Sequence, residues 1–223
     1  KDFVTYRLSG ERVSDTSDMS GAGLTVMPDC TYDAEVMRLY GLADATEMLP
    51  RLIRPAEIAG HVTAEAAAQT GLAEGTPVIG GYFDVISSAL GSGACRAGEA
   101  SIIAGTWSIN QVFSEAPVVN PSVFMASGLD AGRFVNIESS ATSAANLEWY
   151  VRALVERGAH HDDPFGHCND AVGQVVPALD DPLCQPYLYG SGQGAEFRSG
   201  FFGLARWHGE GHLLRALFEG VVF

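Results

Sequence analysis

The segment Gly75-Thr-Pro-Val-Ile-Gly-Gly-Tyr-Phe-Asp84 delivers one carboxylate after a short β-branched run, just before the small-residue helical pattern at residues 85–90. A base that deprotonates an alcohol is a positioned carboxylate or imidazole with some shielding from water, which Tyr82, Phe83, Val85 and Ile86 would supply. Ligands of α/β proteins gather at such carboxyl ends of strands. An aspartate ahead of a helix also caps it, and the two roles are compatible. Downstream, residues 100–104 read as a second apolar strand ending in Gly105-Thr106-Trp107-Ser108. Gly105 and the Thr106 hydroxyl can hold a phosphate with donors that carry little bulk, although an ordinary strand-to-strand turn uses the same residue types. Together the two segments predict a base and a phosphate-handling loop.

Other constellations say less. No GxxxxGK motif followed by Ser or Thr occurs, so any nucleotide site is of another type, and no GxSxG elbow marks a hydrolase serine. Gly190-Ser-Gly-Gln-Gly194 lacks the third glycine of a dinucleotide fingerprint and reads as a surface loop. His208-Gly-Glu-Gly-His212 puts two imidazoles four apart, but Glu210 is not directly after the first His, where a catalytic zinc site needs it. His160, His161, Asp162, Asp163, His167 and Cys168 show no metal-ligand spacing and read as a solvated loop. No metal ligand is assigned. Asn146-Leu-Glu-Trp-Tyr150, at a helix start, either faces a site or packs Trp149 inside.

The elements that would position these groups alternate between strand and helix, which gives an α/β class. Residues 1–9 read as the last turns of a helix stopped by Gly10, and residues 15–20 as a polar turn or a short capped helix. Residues 32–40 form a helix, 49–55 a proline-bounded linker, and 63–69 an alanine-rich helix capped by Thr63 and stopped by Gly71. The run around Val78 and Ile79 reads as a buried strand; residues 110–113, 133–138 and 183–188 also read as strands. A loop holds Pro117, Asn120 and Pro121. Helices are expected over 146–156 and 208–223, with a polar loop over 158–170. The change from acid-rich helices to strand-rich sequence near residue 95 marks the domain boundary.

Composition bounds the functions available. The 223 residues are 47% hydrophobic and 18% charged, as in ordinary globular proteins, and the formal charge of −14 argues against nucleic-acid binding. Four scattered cysteines without a CxxC pair point to reduced thiols and a cytoplasmic setting. No apolar run reaches membrane-spanning length. Neither terminus carries a cap or polar tail, so the sequence reads as an internal fragment.

Jointly these pieces resemble the FGGY family of carbohydrate kinases, in the family's order and over essentially the whole chain. Residues 1–11 and 14–21 are similar to its K-D-x-x-x-x-x-L-T-G and T-D-x-S-x-A-S segments. Residues 75–84 resemble G-T-P-V-x-x-G-x-x-D, whose aspartate is the catalytic base, and 98–106 the G-E-x-x-x-x-x-G-T phosphate loop. Gly203-Leu-Ala-Arg206 with residues 212–223 looks like the helix before the adenosine-binding segment. Residues 81–85, 105–108 and 138–149 look most like the L-xylulokinase branch, while Phe83 and Val85 stand where typical members have Gly before the base and Gln or Asn after it.

The resemblance implies an actin-like, ribonuclease-H-like two-domain fold, present in part. Residues 1–95 would end the sugar-binding first domain, and 96–223 would begin the ATP-binding second domain. It implies transfer of the ATP γ-phosphoryl group to a hydroxyl of a ketopentose such as L-xylulose or xylulose, with Asp84 as base. Gly105 and Thr106 would hold the nucleotide phosphates, Asn146 and Glu148 would lie on the nucleotide side of the cleft, and Mg²⁺ would offset phosphate charge. Adenosine and Mg²⁺ ligands would lie outside this sequence, leaving the isolated chain inactive. A homodimer is the assembly common in the family. The alternative is a non-catalytic actin-like module that binds ATP or a sugar.

Overall fold

The computed structural model describes residues 1–120, 123–130, 132–191, 194 and 196–222, and it divides into two compact units. The first comprises residues 1–101 and 110–138, the second 102–109 and 139–223. Elements of both kinds run throughout, as the α/β reading expects.

In the first unit, helix α1 (Asp2–Ser9) stops at Gly10, whose positive φ lets its N–H reach back to the Tyr6 carbonyl. Strand β1 (Val13–Asp15) feeds helix α2 (Thr16–Gly21), which Asp15 caps by accepting the Ser17 and Asp18 N–H groups. The hairpin β2 (Thr25–Val26) and β3 (Thr31–Tyr32) leads to helix α3 (Ala34–Leu39), capped by Asp33. Tyr32 thus belongs to a strand and not to the helix expected over 32–40.

A 3₁₀ segment (Ala43–Met48) precedes strand β4 (Arg51–Ile53). This stretch is not a linker: β4 pairs in parallel with β1, and Val13, Ile53 and Ala59 form a buried cluster. The flanking prolines at 50 and 55 hid a three-residue strand. Strand β5 (Ile58–His61), helix α4 (Ala64–Thr70) and strand β6 (Pro77–Ile79) follow. Thr63 caps α4 and Gly71 ends it, as its sequence predicts. Strand β6 differs from its expected burial, because it pairs only with β5 in a two-stranded sheet and Ile79 is 46% exposed.

Helix α5 (Asp84–Gly91) then leads to β7 (Ala100–Ala104), β8 (Ser108–Ser114), β9 (Met125–Asp130) and β10 (Arg133–Ser140), in the sheet order β7-β8-β10-β9. Strand β9 was not legible in the sequence, because Ser127 and Gly128 interrupt its apolar pattern. It pairs antiparallel with β10, with an irregularity at Arg133–Phe134. Pro121 of the expected loop lies outside the described residues.

The second unit is organised by helix packing. Helix α6 (Ala145–Tyr150) runs through a π-helical turn (Val151–Val155) into α7 (Glu156–Gly158). The segment expected to be a polar loop contains helix α8 (Pro164–Gly173). Asp163 caps it by accepting the Gly166 N–H at 2.8 Å, Pro164 opens it, and Cys168 is fully buried beneath it. The Asp-Pro pair was the available signal, masked by the surrounding histidines. Strands β11 (Leu183–Gln185) and β12 (Gly200–Phe202) pair antiparallel, so β11 is shorter than the run expected to 188. Within the reading of 190–194 as a loop, Gly192 and Gln193 lie outside the described residues.

Helix α9 (Glu210–Val222) completes the unit; Phe223, the last residue of the expected helix, lies outside the described residues. Tyr150, Val151, Val155, Cys168, Leu214 and Leu217 form its core. Gly211 and Gly220 explain why a helix carries glycines inside it. A Cβ at Gly211 would overlap the Ala171 carbonyl oxygen of α8, and one at Gly220 the Cys184 carbonyl oxygen of β11.

Candidate active site

Asp84 is the first residue of α5, with Phe83 at the cap position, so it does not cap the helix in the usual way. Its Oδ1 accepts the Val85 N–H at 2.7 Å, which leaves Oδ2 open. Within the first unit Asp84 is exposed, while Ile86 is fully buried and Tyr82, Phe83 and Val85 are half-buried. The apolar neighbours therefore anchor the helix start more than they cover the carboxylate. Gly81 turns the chain into α5 with φ 81°, a conformation that costs a glycine little.

The backbone on both sides of Asp84 is held by buried side chains. The Phe83 N–H donates to the Ser17 hydroxyl at 2.9 Å. That hydroxyl donates to Asp15 Oδ1, and the Ser17 carbonyl accepts the Ser127 hydroxyl at 3.0 Å. The Val85 carbonyl accepts from Gln111 Nε2 at 2.9 Å. Ser17, Asp15 and Gln111 are each 0% exposed.

Beneath α2, Asp2, Asp15 and Asp18 bring carboxylate oxygens close enough for a metal ion, the one such group among the described residues. The Lys1 ammonium already sits there, 2.5 Å from Asp2, 2.6 Å from Asp15 and 3.3 Å from Asp18. Burial alone would depress the Lys1 pKa, but hydrogen bonds to Asp15 and Asp2 outweigh it and raise the pKa well above its ordinary value. A cation is thus supplied by the chain itself, and these residues do not fit a Mg²⁺ site.

In the second unit, Gly105-Thr106-Trp107 makes the turn from β7 to β8. The Gly105 N–H is already spent on the Trp107 carbonyl at 3.0 Å, and the Gly105 carbonyl accepts the Ala144 N–H at 3.0 Å. Thr106 is exposed, and its hydroxyl has no hydrogen-bond partner among the described residues. Thr106, not Gly105, is the residue here with a donor to give. The Ala144 bond also brings the turn beside the start of α6, where Asn146 and Glu148 lie.

Asn146 is 1% exposed, and its Nδ2 donates to the carbonyls of Thr142 and, at 3.0 Å, Ser143. Its Oδ1 is buried without a partner among the described residues. It holds the hydroxyl-rich turn where Ser140 and Thr142 hydroxyls meet at 2.7 Å. Glu148 is half-buried, 3.9 Å from Arg152. Asp84 belongs to the first unit and these four residues to the second.

The histidines have structural partners. His208 and His212 accept the Ala205 and Gly209 N–H groups through Nδ1, at 3.0 and 3.1 Å. His167 stacks on His161 with ring centroids 4.0 Å apart and meets Glu210 at 3.0 Å, tying α8 to α9. Sequence reasoning missed Ser17, Asp15 and Gln111 as supports of Asp84. Local spacing carries no signal for bonds spanning 66 and 26 positions.

Known proteins resemble this chain over essentially its whole length. The "Probable L-xylulose kinase" of Pasteurella multocida (strain Pm70) is 36% identical over 224 residues, covering 100% of this chain and 45% of that protein. The "L-xylulose/3-keto-L-gulonate kinase" of Escherichia coli (strain K12) is 36% identical over 225 residues, again covering 100% of this chain and 45% or less of the relative, at 44%. The crystal structure of xylulose kinase from Rhodospirillum rubrum superposes with a TM-score of 0.87 at 29% identity, covering 99% of this chain and 44% of that one. The chain therefore spans about half the length of the relatives it matches, and its fold is part of the actin-like, ribonuclease-H-like architecture of those kinases. Residues 1–91 match the model for the N-terminal domain of the FGGY family of carbohydrate kinases, and the chain belongs to that family.

Proposed function

We propose that the full-length protein is an ATP-dependent sugar kinase that transfers the γ-phosphoryl group to a hydroxyl of a ketopentose such as L-xylulose or xylulose. The observation that carries this reading is the end-to-end likeness to an L-xylulose kinase at 36% identity, in a chain that presents Asp84 on a firmly held helix start. Asp84 Oδ2 accepts the proton of the attacking sugar hydroxyl, which sharpens the nucleophile as the phosphoryl group arrives. The Thr106 hydroxyl and its turn hold nucleotide phosphates, with Gly105 keeping the turn tight. Asn146 shapes the neighbouring turn, and Glu148 faces the nucleotide side. Mg²⁺ supplies charge neutralisation on the phosphates, from ligands other than the Asp2, Asp15 and Asp18 group that Lys1 fills.

We propose the boundary between sugar-binding and ATP-binding domains near residue 95, supported by the family match ending at 91. The first compact unit also takes in residues 96–101 and 110–138. A cytoplasmic setting is proposed from the scattered cysteines, and a homodimer from the family resemblance alone. Separately, among the described residues no helix is long and apolar enough to cross a membrane. The test is sugar-dependent ADP release by the full-length protein and its Asp84→Asn variant, across ketopentoses. Turnover with a ketopentose that falls by about 10²-fold or more in the variant supports the reading. Unchanged turnover in the variant sinks the role of Asp84, and no sugar-stimulated turnover in the parent favours a binding module.

A further inference from the structure

Among the described residues, the Asp84 carboxylate touches only the N–H of the next residue, so its aim is set by the backbone that carries it. That backbone is gripped from both sides. On one side the Ser17 hydroxyl, itself donating to the ion-paired Asp15, takes the Phe83 N–H. On the other side the Gln111 amide, from β8, takes hold of the Val85 carbonyl.

Gln111 is the more telling of the two. It is 0% exposed, and its Oε1 is buried without a partner among the described residues. An unmet buried acceptor is costly, so an apolar residue of similar size would serve packing better. What glutamine provides and an apolar residue cannot is the bond to the first turn of α5. Displacing a reacting group by about 1 Å can cost on the order of 10²-fold in rate, which gives such a clamp a catalytic consequence.

We propose that Ser17 and Gln111 are positioning residues that jointly fix the Asp84 carboxylate for proton abstraction. The proposal rests on the reading of Asp84 as base. Ser17→Ala and Gln111→Met, made in the full-length protein, test it singly and in the Asp84→Asn background, with thermal melts as the control for folding. Each single variant is expected to lower kcat by about tenfold or more while KM for the sugar stays within about twofold. Neither is expected to slow the residual turnover of Asp84→Asn any further, because a residue acting through Asp84 has nothing left to position.

A parental kcat in either folded single variant overturns the proposal for that residue. The same fold-loss in the Asp84→Asn background as in the parent also overturns it, because it marks a general structural role. A parental kcat in Asp84→Asn alone overturns the reading beneath the proposal, and is told apart from the other results by that single measurement. If Ser17→Ala does not fold, Gln111→Met decides by the same two comparisons.

Discussion

The turn that carries Asp84 and the turn at Gly105–Thr106 both follow a short strand, yet different kinds of group hold them. Around Asp84 the backbone is fastened by buried side chains from α2 and β8, and behind these stand an ion pair and a helix cap. Around Thr106 the described fastenings are backbone to backbone, Gly105 to Trp107 and Ala144 to Gly105. The first arrangement fixes one carboxylate and depends on particular residues many positions away. The second fixes a loop path and leaves its side chains free to meet a ligand. Sequence changes should therefore be felt very unequally in the two places.

The largest effect belongs to Asp15. It caps α2, receives the Ser17 hydroxyl and pairs with Lys1 at 2.6 Å, all at 0% exposure. Asp15→Ala removes the α2 cap, the acceptor of the Ser17 hydroxyl and the buried partner of Lys1. Asp2 and Asp18 still face the ammonium, and the combined loss is about 3 kcal/mol. Urea unfolding followed by circular dichroism should show that drop. A loss under about 1 kcal/mol would mean the side-chain support of Asp84 is dispensable, and the contrast between the two turns would fail.

Next comes a site that separates the second unit's helix packing from its exposed turn. Gly220→Ala places a methyl group on the Cys184 carbonyl oxygen, and overpacking of this kind costs about 1–3 kcal/mol. The same unfolding measurement checks it. No loss would show that α9 can move off β11 freely.

These two residues also show what the sequence could and could not reveal. Caps and stops were legible where one residue type forces the outcome, as with Thr63 and Gly71 around α4 or Gly10 after α1. Asp84 and the Gly105–Thr106 turn stood out because glycine and apolar runs frame them. Short strands did not stand out: β4 was hidden by its prolines, and β9 by small residues that break alternation. Helix α8 was hidden by polar residues on its outer face, although Asp163 and Pro164 form a cap-and-start pair. The supports of Asp84 were illegible for a deeper reason. A serine and a glutamine gain their meaning from the distant backbone groups they meet, and no local pattern records that meeting.

A smaller effect is expected from Cys184, which lies beside Gly220. Burial pushes its thiol from an ordinary 9.0 up to about 11, so the folded chain keeps the proton that the unfolded chain releases first. Between pH 9 and 11 the unfolded state binds fewer protons, and stability falls as pH rises. Below about pH 9 this contribution is fully present. Cys184→Ala should flatten the fall in the unfolding midpoint across that window. An unchanged alkaline profile would assign the fall to other groups.

The smallest effect on folding should come from Thr106, where the contrast is sharpest. Its side chain is exposed and its hydroxyl bonds nothing among the described residues, so Thr106→Ala should change stability by no more than about 0.5 kcal/mol. If the hydroxyl holds a nucleotide phosphate, the same variant of the full-length protein should raise KM for ATP and leave KM for the sugar unchanged. A hydrogen bond to a charged group contributes about 1.5–3 kcal/mol, which sets the size of that rise at roughly tenfold or more. Steady-state kinetics with each substrate varied in turn separates the outcomes. A shift confined to the sugar would move Thr106 to the other side of the chemistry. A large loss of stability would show that the turn depends on its side chains after all, as the Asp84 turn does.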